Sequence, residues 1–127
     1  MTIHVKRVYE PASPEDGHRI LVDRLWPRGL SKEQAHVNEW LKVLAPTNEL
    51  RRWFHADIGQ YPEFRQRYRA ELFTSDDAIR ELKRLVDMCQ GTTVTLLFAS
   101  KYPDVSNAVV LSEFIREWIG TDHEGNS

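Results

Sequence analysis

A chain of 127 residues holds one domain with a core that needs no disulfide or metal staple. At 41% hydrophobic and 28% charged residues the composition is that of a soluble globular protein, and a formal net charge of -2 argues against a dedicated nucleic-acid binder. No apolar run approaches the roughly 20 residues of a membrane span, the N-terminus lacks a signal pattern, and one cysteine excludes an internal disulfide framework, so a cytoplasmic protein with no membrane partner is expected.

Ile3 to Tyr9 is rich in β-branched residues and predicts a first strand. Pro11, Pro14 and Gly17 make the next stretch a loop with at most one helical turn. Arg19 to Leu25 has a continuous apolar centre, Ile20-Leu21-Val22, as a strand buried on both faces would. The intervening loop of about ten residues is short for a parallel crossover, which leaves the first two strands open to either direction.

Ser31 and Gln34 form a capping-box pair that opens a short helix. Val37, Trp40, Leu41 and Leu44 then follow helical spacing up to Pro46. Thr47 caps the next helix, with Leu50, Trp53 and Phe54 on one face. Pro62 suits the first turn of a helix carrying Phe64, Tyr68 and Leu72. Thr74 or Ser75 caps a further helix with Ile79, Leu82, Leu85, Val86 and Cys89 facing inward, and Gly91 sits where a left-handed stop is expected. Thr92 to Ala99 is the strongest strand. Ser106 caps a last helix with Leu111, Phe114, Ile115 and Trp118 on its apolar face and Gly120 at its end. The pattern predicts a single α/β domain over 1–120, with three or more mainly parallel strands and about five helices, and a polar disordered tail over 121–127.

In an open parallel sheet, ligands sit beyond the carboxyl ends of the strands. Those ends supply Arg7 and Tyr9 from the first strand, Asp23, Arg24, Trp26 and Arg28 from the second, and Ser100 and Lys101 from the third. Ser106 and Asn107 open the last helix, whose free N–H groups and positive dipole end favour an anion. Arginine forks suit an oxyanion through paired hydrogen bonds. Trp26 offers a flat apolar wall, and Asp23 is the candidate to orient an arginine or act as general base. A structural reading competes: Asp23 and Arg24 as an ion pair, Trp26-Pro27 as a packing corner.

Other chemistry is thinly represented. There is no Gly-x-Ser-x-Gly motif, no glycine-rich phosphate loop and no Walker sequence. The five histidines are scattered, and His55-Ala56-Asp57 is a weak metal half-site, so no metal and no cofactor is expected. Cys89 reads as a buried, inert thiol. Arg65, Arg67 and Arg69, with Arg51 and Arg52, read as a solvated helix face near Glu63 and Glu71, not a nucleic-acid surface. Tyr102-Pro103-Asp104 reads as a turn and small lid at the mouth of the proposed site.

The run Leu21 to Gly29, containing Asp23-Arg24-Leu25-Trp26-Pro27-Arg28, resembles together with Lys32 the signature of the YeaO-like family, a bacterial domain of unknown function numbered 488. Lys6 to Tyr9 with Gly17 and Arg19, then Trp40 to Lys42, Ala45 to Thr47, Leu50-Arg51, Phe54, Phe64, Tyr68, Glu71-Leu72, Thr95 to Lys101 and Ala108 to Leu111 extend the likeness over residues 3–119. The resemblance implies a Rossmann-like layered fold and supplies no activity. Relatives in that family often place Asn-His where this chain has Ser106-Asn107, and a more distant branch places Cys-His-Arg near the same point. With imidazole and thiol both missing here, binding survives better than proton transfer or nucleophilic attack. The reading is therefore a protein that binds a small anionic ligand, a phosphate or carboxylate group, with catalysis open. The alternative is a non-catalytic regulatory or interaction domain that offers Trp26-Pro27-Arg28 to a protein partner.

Overall fold

The computed structural model describes residues 2–125, and their side chains as far as residue 120. Four strands, β1 (Thr2–Arg7), β2 (His18–Leu21), β3 (Glu39–Trp40) and β4 (Thr93–Phe98), form one sheet in the order β1-β4-β2-β3. Every pairing is parallel, so all carboxyl ends lie at one edge of the molecule. β1 and β2 are parallel although their connection is short, because β4 lies between them. A 3-10 turn, Pro14–Asp16, crosses that middle strand, and Thr95 donates a hydrogen bond of 2.7 Å to the Asp16 carbonyl. Gly17 closes the crossover at φ 64, so near β4 that a Cβ there would meet the Thr93 carbonyl oxygen at 2.2 Å.

The sheet's alternation sorts its side chains into two unequal layers. Ile20, Val22, Val94, Leu96 and Phe98 join the main core. Helices α2 (Asn48–Ala56), α3 (Tyr61–Phe73), α4 (Asp76–Gly91) and α5 (Asn107–Gly125) supply most of the rest of it. Leu21 and Leu97 point the other way, into a small cluster with Val8 and Ala35, where the cover is only α1 (Lys32–Ala35) and loops. Arg19 is buried on this thin side. Its guanidinium donates to Asp16 and to the carbonyls of Ala35 and His36, and so pins the end of α1 to the sheet.

The helix starts follow their caps. Ser31 and Gln34 form the full capping box at α1. Thr47, Ser75 and Ser106 accept from Leu50, Ala78 and Val109 at α2, α4 and α5. Pro62 lies in the first turn of α3.

Three expectations are corrected. Residues 37–44 do not form a helix. Glu39–Trp40 is instead an edge strand paired with Ile20 and Leu21, and Lys42–Leu44 a 3-10 turn. Gly91 is the last helical residue of α4 and has no positive φ, and extended Thr92 ends that helix. Gly120 does not stop α5, since a glycine on an exposed helix surface costs only about 1 kcal/mol. Of the expected tail, 121–127, residues 121–125 belong to α5, and 126–127 lie outside the described residues.

Candidate functional site

A pocket of about 310 Å³ opens at the carboxyl ends of the strands. Residues leaving β2 form one wall, the Ala99-Ser100 exit of β4 the floor, and Ser106-Asn107 at the start of α5 one side. The opposite side comes from Pro46 and from Arg51, Phe54 and His55 of α2, with Phe64 of α3 behind them.

Asp23 ties the floor together. One carboxylate oxygen accepts from the Ala99 backbone N–H at 2.8 Å, and the other from the Asn107 amide at 3.1 Å. The same amide donates to the Val22 carbonyl at 3.0 Å, which fastens α5 to the end of β2. Burial raises the Asp23 carboxyl above its usual range, against the pull of the Ala99 N–H, Asn107 and the Arg51 charge. The native state therefore holds its proton more tightly than the unfolded chain, and the cost of carrying this charge eases as pH falls through the raised value.

The bend after β2 is held by two indoles. Trp40 donates to the Asp23 carbonyl and Trp26 to the Leu30 carbonyl, each at 2.7 Å. Their rings meet edge to face at 5.3 Å. Trp26 is thus both a packing corner and a pocket wall. Gly29, at φ 79, completes the turn.

The cations around the opening have few internal partners. Among the described residues Arg24 bonds only the Pro46 carbonyl, at 3.3 Å. Arg28 is exposed, and among the described residues its backbone carbonyl rather than its guanidinium is engaged, by the Tyr9 hydroxyl at 2.9 Å. Arg51 makes no side-chain hydrogen bond among the described residues, and its Nε–H is buried without a partner. Arg65 and Arg69 also have unpartnered Nε groups, but their terminal nitrogens bind Glu113 and Glu117. His55, on the same face of α2 as Arg51, has its pKa lowered by desolvation first and by the Arg51 charge second. Beneath the pocket, burial and the Asp23 charge push the Tyr68 phenol well above its usual range, and its hydroxyl donates to the Leu44 carbonyl.

Of the ten residues singled out from sequence, Tyr9, Asp23, Arg24, Trp26, Arg28, Ser100, Ser106 and Asn107 line this pocket. Arg7 and Lys101 do not. Arg7 is spent on the carbonyls of Ser100 and Ala99 at 2.8 and 3.1 Å, which locks β1 to the β4 exit. Lys101 lies exposed, its Nζ 5.5 Å from the Tyr102 ring centre. The 102–104 turn is not part of the lining. Asp57 caps the turn at Gly59, so the His55-Ala56-Asp57 pair uses its carboxylate structurally. Arg51, read as solvated surface, Phe54, read as core, and His55, read as a weak metal half-site, were not expected at the pocket that they line. Their signal was present: positions 47, 51, 54 and 55 share one helical face, and Thr47 and Phe54 were already placed.

Fold and site define a small parallel α/β protein with an arginine-lined hollow at the exits of its central strands. The chain belongs to the DUF488-N3i family, described as the inactive DUF488-N3 subclade, whose profile matches residues 2–127. It is 44% identical over 116 residues to the uncharacterized protein YeaO of Escherichia coli (strain K12), covering 91% of this chain and 98% of that one. It is 41% identical over 113 residues to the uncharacterized protein Rv3073c of Mycobacterium tuberculosis, covering 89% of this chain and 92% of that one. No solved structure gives a significant match. The YeaO-like resemblance read from the sequence is borne out.

Proposed function

We propose that the protein binds a small anionic ligand, a phosphate or carboxylate group, in this pocket, and does so without catalysing a reaction on it. One observation carries the reading. Arg24, Arg28 and Arg51 converge on one hollow with no acid partner among the described residues, whereas Arg65, Arg67, Arg69, Arg80 and Arg84 each pair with a carboxylate. Guanidinium groups without a carboxylate, set beside a helix start, favour an oxyanion. The one carboxylate on the pocket wall, Asp23, is held by Ala99 and Asn107, which suits a structural anchor better than a mobile base. The subclade's description as inactive points the same way.

Thermal unfolding in inorganic phosphate or acetate, against sodium chloride of equal ionic strength, tests this. A ligand at a hundredfold excess over its dissociation constant stabilises by about 2.7 kcal/mol. Arg51→Gln should lose most of that protection and remain folded. Equal protection in wild type and Arg51→Gln, or none from either anion, contradicts the proposal.

A further inference from the structure

We propose that the ligand is an aryl anion: a small planar apolar body carrying one phosphate or carboxylate group. This rests on the reading of the pocket as an anion site and names the rest of the molecule that site would take. Three large apolar side chains are exposed among the described residues: Tyr9 at 41%, Leu25 at 60% and Phe73 at 60%. Two of them, Tyr9 and Leu25, line this one pocket. An isolated exposed leucine is unremarkable, but two exposed apolar groups on the rim of one concave site form a surface that a ligand can cover. The inner lining is also apolar: Phe54 and Phe64, both buried, stack on each other at 4.2 Å with 14° between their planes and border the hollow.

The free donors suit one anionic group. The buried, unpartnered Arg51 Nε–H lies on the same helix as Phe54, three residues away, which sets the free donor beside the apolar lining of the same pocket. A volume of about 310 Å³ lies at the small end of ligand pockets and suits a ring with its anionic substituent. A bare inorganic anion would satisfy the arginine and leave the apolar rim wet.

Isothermal titration of the wild-type protein separates the possibilities, using phenyl phosphate against methyl phosphate, benzoate against acetate, and benzyl alcohol as the uncharged control. Burial of a ring predicts at least about tenfold tighter binding of the aryl member in one or both series. Leu25→Ser, at an exposed position, should weaken the aryl ligand severalfold and leave methyl phosphate or acetate unchanged. The series that keeps the ratio identifies the anion. If methyl phosphate and acetate bind within tenfold of their aryl counterparts, the aryl assignment falls and the anion reading stands. If benzyl alcohol binds as tightly as phenyl phosphate and benzoate, or if none of the five binds, both fall.

Discussion

Asp23 illustrates how one residue can look catalytic in sequence and be architectural in space. Its carboxylate links the exits of two adjacent strands to the first residue of α5 through the Ala99 N–H and the Asn107 amide. Removing it leaves the part-buried Ala99 N–H and one N–H of the Asn107 amide without their acceptor. Asp23→Ala should therefore cost about 1–3 kcal/mol in urea unfolding. A change within about 0.5 kcal/mol, the usual range for a surface substitution, would place the residue outside the fold's support. The sequence made Asp23 conspicuous because an acid directly after an apolar strand is uncommon. It could not name the partners, which lie 76 and 84 positions away. The same limit applied to Arg7, which looked like a ligand group and instead bonds carbonyls at the end of β4. Arg51 failed in the opposite direction, since a basic residue beside Arg52 looks like solvated surface until the pocket behind it is known.

At the scale of elements, caps were the most legible feature because capping is local. Ser31, Thr47, Ser75 and Ser106 each bond an N–H only three residues away. Segment 37–44 was not legible, because its partner is distant. Val37 and Trp40 pack with the small cluster, while Leu41 and Leu44 join the main core. Those four positions imitate a helical stripe, but edge pairing to β2 decides the outcome. The first crossover was equally opaque, since only the position of β4 between β1 and β2 makes ten residues sufficient. Gly17 is the tight point of that connection. Gly17→Ala combines a left-handed backbone with a backbone clash at Thr93, and should destabilise by at least about 2 kcal/mol by thermal or urea unfolding. A variant as stable as wild type would mean the crossover does not press against β4.

Across the whole molecule, the fold is lopsided. Four helices and nearly all the large buried side chains lie on one side of the sheet, and a thin layer anchored by Arg19 and α1 covers the other. The α/β class and the parallel sheet followed from the alternation of strand and helix patterns, which needs no long-range information. Which helices would close over the strand exits did not follow. The pocket draws on residues 9, 23–28, 46, 51, 54–55, 64, 99–100 and 106–107, segments brought together by the fold and its sheet order. Its floor is tied by hydrogen bonds, while its arginines are held by little. That contrast suits a preformed site whose charged groups remain available.

A nitrogen–proton correlation NMR titration with phenyl phosphate tests the central claim most directly, because it reports where the anion lands. The account predicts saturable shifts concentrated on the Arg51 Nε–H, the backbone N–H groups of Ser100, Ser106 and Asn107, and the Trp26 indole. Shifts spread over Arg65, Arg67, Arg80 and Arg84 on the outer helical faces, with the Arg51 Nε–H unmoved, would contradict it.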